Sequence, residues 1–121
     1  MNLTDLEKQT AKLHEIAKNL KLANAALAEY QEAAEENYQQ ALAEANKWQE
    51  EFELALQARD LKVAHEVLLR KNDCKEKARK LEACIDKQIA QRIENLAILD
   101  NVDKLLVTIA NLLEYRDSDS H

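Results

Sequence analysis

The sequence predicts an all-α chain folded as a single long antiparallel coiled-coil hairpin, and three observations carry that prediction. Neither Gly nor Pro occurs in the 121 residues, where average usage would supply about fourteen. Without them tight β-turns have almost no chemistry to draw on. Ala, Leu, Glu, Lys and Gln dominate the chain, and these are the strong helix formers. Asp is missing between Asp5 and Asp60, then occurs seven times from Asp60 onward. Asp is a poor interior helix residue and a good N-cap, because its carboxylate accepts the orphan amide protons of a first turn. One helix is therefore expected to end near Gln57–Arg59 and another to begin at Asp60. The tip comprises Gln57, Ala58, Arg59, Asp60 and Leu61.

The first arm is read as residues 3–57, with Thr4 or Asp5 as its cap. Apolar or small residues recur along it at Leu13, Ile16, Leu20, Ala23, Leu27, Tyr30, Ala34, Tyr38, Ala41, Ala45, Trp48, Phe52 and Ala55. Sustained steps of three and four make a coiled-coil seam. Two successive steps of four, Tyr30–Ala34–Tyr38, predict a local unwinding of the supercoil. Trp48, Phe52, Tyr30 and Tyr38 are all read as seam packing.

The second arm is read as residues 60–115, with a frayed tail at 116–121. Its seam runs through Leu61, Ala64, Val67 or Leu68, Cys74, Ala78, Leu81, Ile85, Ile89, Ile93, Leu96, Leu99, Val102, Leu106, Ile109 and Leu113, interrupted by Lys71 and Arg92. A turn near residue 59 sets Leu6 against Leu113, Leu13 against Leu106, Ile16 against Val102 and Leu20 against Leu99. It also brings Ala41 and Ala45 alongside Ala78 and Cys74. A rival turn at Asn72–Asp73, where Asp73 and Glu76 are spaced as a capping box, would leave much of the first seam unpaired.

Charge and composition bound the function. A net charge of −6 argues against nucleic acid, which needs a basic footprint. Residues 1–60 carry six basic and twelve acidic side chains, residues 61–121 eleven of each. The candidate basic surface is Arg70, Lys75, Lys77, Arg79 and Lys80. Its plain account is a charge match with the acidic first arm at residues 38–48; the sharper one is contact with anionic lipid headgroups or an acidic partner. The scattered His14, His65 and His121 and the absence of Gly leave no catalytic constellation, and no cofactor or metal site is expected. Cys74 and Cys84 are ten residues apart on one helix, roughly 15 Å of rise, too far for an intrachain disulfide. A reducing, cytoplasmic compartment suits them. The first residues lack the pattern of a secretory signal. Leu105–Leu113, the longest uncharged run, is nine residues and too short to span a bilayer.

Toward the open end, Ala97, Ile98, Leu105, Val107, Ala110 and Leu112 add apolar surface off the seam. A helix apolar on more than one face wants more than one partner. Ile98, Leu105, Ile109 and Leu112 are the candidate self-interface, with Ile109 shared with the seam. A second molecule is the preferred occupant, a membrane surface the next.

The stretch around the tip carries a resemblance. Trp48, Leu54-Ala55-Leu56, Val63-Ala64, Leu68 and Lys71 resemble the hairpin tip of the phage-shock-protein-A family, which includes the vesicle-inducing protein in plastids and is related to ESCRT-III proteins. The likeness covers about 24 residues closely; Phe52 and His65 depart from the family's usual small residue and Arg. It implies a membrane-stress or membrane-remodelling role, at the inner face of a membrane, by self-association or by binding full-length family members. The same resemblance implies an AAA+ transcription activator as a partner and weak peripheral contact with anionic membrane. The family's lipid-inserting helix before the hairpin and its interlocking helices after it have no counterpart in these residues, so a short relative or an excised core is expected to associate without building the full coat. The alternative is a generic coiled-coil adaptor unrelated to membranes.

Overall fold

The computed structural model describes residues 2–119. Two helices, α1 (Leu3–Gln57) and α2 (Leu61–Asp119), pack against each other as a helical hairpin. The cap of α1 is Asn2 rather than Thr4 or Asp5: its Oδ1 accepts the Asp5 amide at 2.9 Å, and its carbonyl accepts the Leu6 amide at 3.1 Å. Asn is as good an N-cap as Asp, and here it sits one turn earlier. α2 continues past Tyr115, so Arg116 to Asp119 are helical where a frayed tail was expected; Ser120 and His121 lie outside the described residues. It also runs unbroken through Asn72 and Asp73, which rules out the rival turn.

The connection is as short as the spacing of Asp60 implies. Arg59 adopts φ 56°, the left-handed conformation that ends many helices. Its amide donates to Leu56 O at 3.0 Å, and the Asp60 amide donates to Ala55 O at 2.9 Å. These are the two bonds of a Schellman cap, which satisfy carbonyls that the end of α1 would leave orphaned. Asp60 then caps α2, its Oδ1 accepting the Val63 amide at 3.2 Å and its carbonyl the Ala64 amide at 2.9 Å.

The hairpin divides into two compact units, one of Met1–Ala28 with Ala90–His121 and one of Glu29–Ile89. The second, which holds the turn, has a core of small residues: Ala34, Ala41, Ala45 and Ala55 of α1, with Ala64, Val67 and Ala78 of α2. Alanine layers let helix backbones approach closely but contribute only about 0.8 kcal/mol per buried methyl-sized group. Register in this unit follows from Lys71 Nζ donating to Gln49 Oε1 and Cys74 Sγ to Glu44 Oε2. In the unit holding the chain ends, Ala17 and Val102 are buried, and Asn24 meets Asn95. Thr10 and His14 line a groove with Leu106, Ile109 and Leu113 there, in keeping with Leu13 lying opposite Leu106.

The seam corrects the expected one in two places. In α1, Ala17, Asn24 and Gln31 are turned inward, while Ile16, Ala23 and Tyr30 are exposed. The order Thr10, Leu13, Ala17, Leu20, Asn24, Leu27, Gln31, Ala34, Tyr38 alternates steps of three and four without interruption. No doubled step of four remains, and no local unwinding follows from it. In α2, Gln88, Arg92 and Asn95 hold the seam, and Leu61, Ile89, Ile93 and Leu96 face outward. Lys71 is not an interruption but a half-buried member of the series. Hydrophobicity favoured the apolar neighbour at each of these positions; the heptad phase set by the flanking alanines and leucines overrides it.

The cap geometry predicts two opposite stability changes. Asp60→Ala, which removes the carboxylate from Val63, is expected to lower unfolding free energy by about 1 kcal/mol. Arg59→Gly relieves the left-handed penalty of roughly 1–2 kcal/mol, less the added entropy of the unfolded chain, so a net gain of about 1 kcal/mol is expected. Urea titration followed by circular dichroism measures both; equal midpoints for the two variants would contradict the assignment of the cap.

Candidate interaction surfaces

A helix in a heptad register flanks its seam with two further lines of residues, and in an antiparallel pair like flanks lie side by side. On one flank of the end-bearing unit, Ile98, Leu105 and Leu112 recur every seven residues along α2. Leu105 is 52% exposed and Leu112 50%. Ile16 of α1, which immediately precedes buried Ala17, is exposed on the same flank. Ile109, the fourth residue of the proposed stripe, is half-buried in the seam. The exposed stripe is therefore Ile98, Leu105 and Leu112 without the expected Ile109, joined by Ile16. Ile93, 63% exposed, and Leu96 occupy the other flank.

The unit holding the turn is dominated by charge. Glu32, Glu35, Glu36 and Glu82 surround Tyr38 and Ile85 in a shallow groove of ≈820 Å³. Of the candidate basic residues, Arg79 pairs with Glu76 of its own helix, Nη2 to Oε1 at 2.6 Å. That partner holds the Glu76 carboxyl below its usual range, and the Arg79 guanidinium is raised in return. Both side chains are solvent-exposed, so the pair adds little. Arg70 lies over the Trp48 ring, 5.1 Å from its centroid, a cation–π contact. Lys75, Lys77 and Lys80 make no ion pair among the described residues. The expected charge match across the hairpin is thus not realised as ion pairs. The register sets the basic stretch beside Glu44 and Lys47, which cancel, while the acidic groove contains Glu82 from α2 itself.

Around the turn, the residues of the family-like motif separate by burial. Ala55 and Ala64 are buried, Trp48, Leu68 and Lys71 are half-buried, and Leu54, Leu56 and Val63 are exposed. Phe52 joins Trp48 in the seam, and Tyr38 does likewise; Tyr30, 67% exposed, does not. Both cysteines are free thiols. Burial, then the Cys74 Sγ–Glu44 Oε2 hydrogen bond at 3.6 Å, pushes the Cys74 thiol up, because each disfavours the thiolate.

Sequence reasoning missed the polar residues in the seam. Asn24 Nδ2 donates to Arg92 O at 3.4 Å, Asn95 Nδ2 to Asn24 Oδ1 at 2.8 Å and Gln91 Nε2 to Asn95 Oδ1 at 2.9 Å. The signal was present in the strict alternation of three and four through Asn24. Among the described residues, no helix is long and apolar enough to cross a membrane. Comparison with known protein families matches none of them to this chain, and comparison with curated proteins likewise finds no similar one.

The two thiols should differ in reactivity. With iodoacetamide near neutral pH, exposed Cys84 is expected to alkylate ahead of Cys74, as resolved by peptide mass spectrometry. Glu44→Gln removes the negative charge beside the thiol, so thiolate formation at Cys74 becomes easier and its alkylation faster. Faster reaction of Cys74 than Cys84 in the unaltered protein would contradict this.

Proposed function

We propose that the chain is a non-catalytic assembly hairpin that self-associates through the flank bearing Ile16, Ile98, Leu105 and Leu112. The observation that carries this reading is the exposed line of large aliphatics beside a core of small ones. Area supports it. A compact folded monomer of 13.9 kDa exposes about 6,700 Å², whereas this hairpin exposes 9144 Å². The difference reflects how little of its surface a pair of helices covers. Within that surface, Ile16, Ile98, Leu105 and Leu112 are exposed large aliphatics on one flank, and a contiguous apolar patch rimmed by polar residues marks an association site.

The test is a pair of substitutions on the flank. Leu105→Glu with Leu112→Glu places unpaired charges in the contact and is expected to reduce the mass measured by light scattering to that of a single chain. Far-UV circular dichroism on the same samples should retain most of the helicity, because the seam residues Leu106 and Leu113 are untouched. An unchanged mass would sink the self-interface.

A second reading, the membrane-stress role that the tip resemblance implies, is favoured by one observation: Lys75, Lys77 and Lys80 are exposed and make no ion pair among the described residues. They suit an anionic lipid surface, at about 1 kcal/mol per basic residue near it. Flotation with anionic vesicles is expected to be weak and to vanish by 1 M salt, where the Debye length falls to ~3 Å. Binding to neutral vesicles that survives 1 M salt would refute this electrostatic account.

A further inference from the structure

Alanine layers distinguish one heptad register from the next poorly. A slide of α2 by seven residues sets Ala78 against Ala34 instead of Ala41, one alanine for another. The turn is a weak locator too, since Arg59 carries a side chain at φ 56°, a conformation that glycine adopts far more readily. The exposed Cys74–Glu44 bond and the part-buried Lys71–Gln49 bond mark the register there, but a buried polar pair defines pairing more strongly.

Asn95 is the one buried polar side chain among the described residues, at 7% exposure. Both sides of its amide are used: Nδ2 donates to Asn24 Oδ1 at 2.8 Å, and Oδ1 accepts from Gln91 Nε2 at 2.9 Å. Asn24 completes the set by donating to Arg92 O at 3.4 Å. A slide of one heptad in either direction breaks this. In one direction Asn95 lands on Ala17; in the other, Asn24 lands on Val102. Both of those positions are buried, so each slide strands an amide against an apolar layer, and a stranded polar group costs far more than a satisfied one contributes. A buried amide in a coiled-coil seam is known to fix register at a cost in stability.

We propose that the Asn24–Asn95 pair, held by Gln91, is the register lock of the hairpin: it selects α2, at one heptad phase, as the partner of α1. The alanine layers supply close packing with little phase of their own, and the buried amides add phase to them.

Disulfide trapping in a Cys74→Ser, Cys84→Ser background tests this on the full chain. Ala41→Cys with Ala78→Cys reports the native register. Ala34→Cys with Ala78→Cys reports the slid one, since in the native register those positions are about one heptad, ~10 Å, out of step. With Asn24 and Asn95 in place, only the first pair is expected to close within the chain. With Asn24→Leu and Asn95→Leu, closure of the slid pair is expected to rise at least tenfold. Asn24→Ala with Asn95→Ala, which matches the surrounding alanine layers, gives the same readout if leucine overpacks the site. A slid pair that stays open in both backgrounds, while the native pair closes as before, would assign the register to the turn and the remaining seam contacts and overturn the proposal.

Discussion

The amide of Asp60 closes α1 through Ala55 O while its carboxylate opens α2 through the amide of Val63. One residue thereby serves the end of one helix and the start of the next, and the chain reverses with only Ala58 and Arg59 before it. A connection this short forces the two helices to be antiparallel neighbours. Ala64 enters the core one turn after the cap. Without glycine the reversal relies on Arg59 in a left-handed conformation, so the geometry is held by hydrogen bonds rather than by backbone preference. That is the reason the caps, and not the loop sequence, govern the tip.

What the reversal brings together is a seam of alanines and valines. Such a seam packs closely but buries little apolar area per layer, so it contributes less than leucine layers would, at roughly 1.5–3 kcal/mol each. The larger aliphatics are distributed mainly at the edges of the seam or outside it. Leu20, Leu27, Leu99 and Leu106 are half-buried, and no large side chain among the described residues is fully enclosed. A thin core and aliphatic flanks have the same origin: two helices can enclose one narrow stripe of each, and whatever lies a seventh of a turn outside that stripe meets water or a partner.

Much of this was legible before any coordinates. The absence of Gly and Pro and the distribution of Asp located both helices and the turn, because those signals act through local backbone chemistry. The seam phase was harder. At Ile16 or Ala17, Ala23 or Asn24, and Tyr30 or Gln31, adjacent residues compete for one inward position, and a helix turns about 100° between them. Choosing the more hydrophobic of each pair put Ile16, Ala23 and Tyr30 inside. The correct choice follows from phase continuity between Leu13 and Ala34, which a residue-by-residue hydrophobicity reading does not weigh. The charge pattern misled for a related reason: matching blocks of opposite sign along the chain ignores which residues the register sets side by side. Lys77 and Lys80 lie beside a stretch in which Glu44 is offset by Lys47.

The inverted segment of α2 deserves a physical reason. Rotating residues 88–96 by one position would carry Ile89, Ile93 and Leu96 inward and free Gln88, Arg92 and Asn95 for water, a change favourable on transfer alone. The helix cannot make it locally, because Leu81 and Ile85 before the segment and Leu99 and Val102 after it share the existing phase. A rigid α-helix transmits that phase through the segment, so the polar residues stay in and the aliphatics stay out. For a hairpin acting alone this arrangement is costly at both surfaces. The proposed register lock and the proposed association would account for both at once: inward amides that define pairing, and outward aliphatics left for another chain.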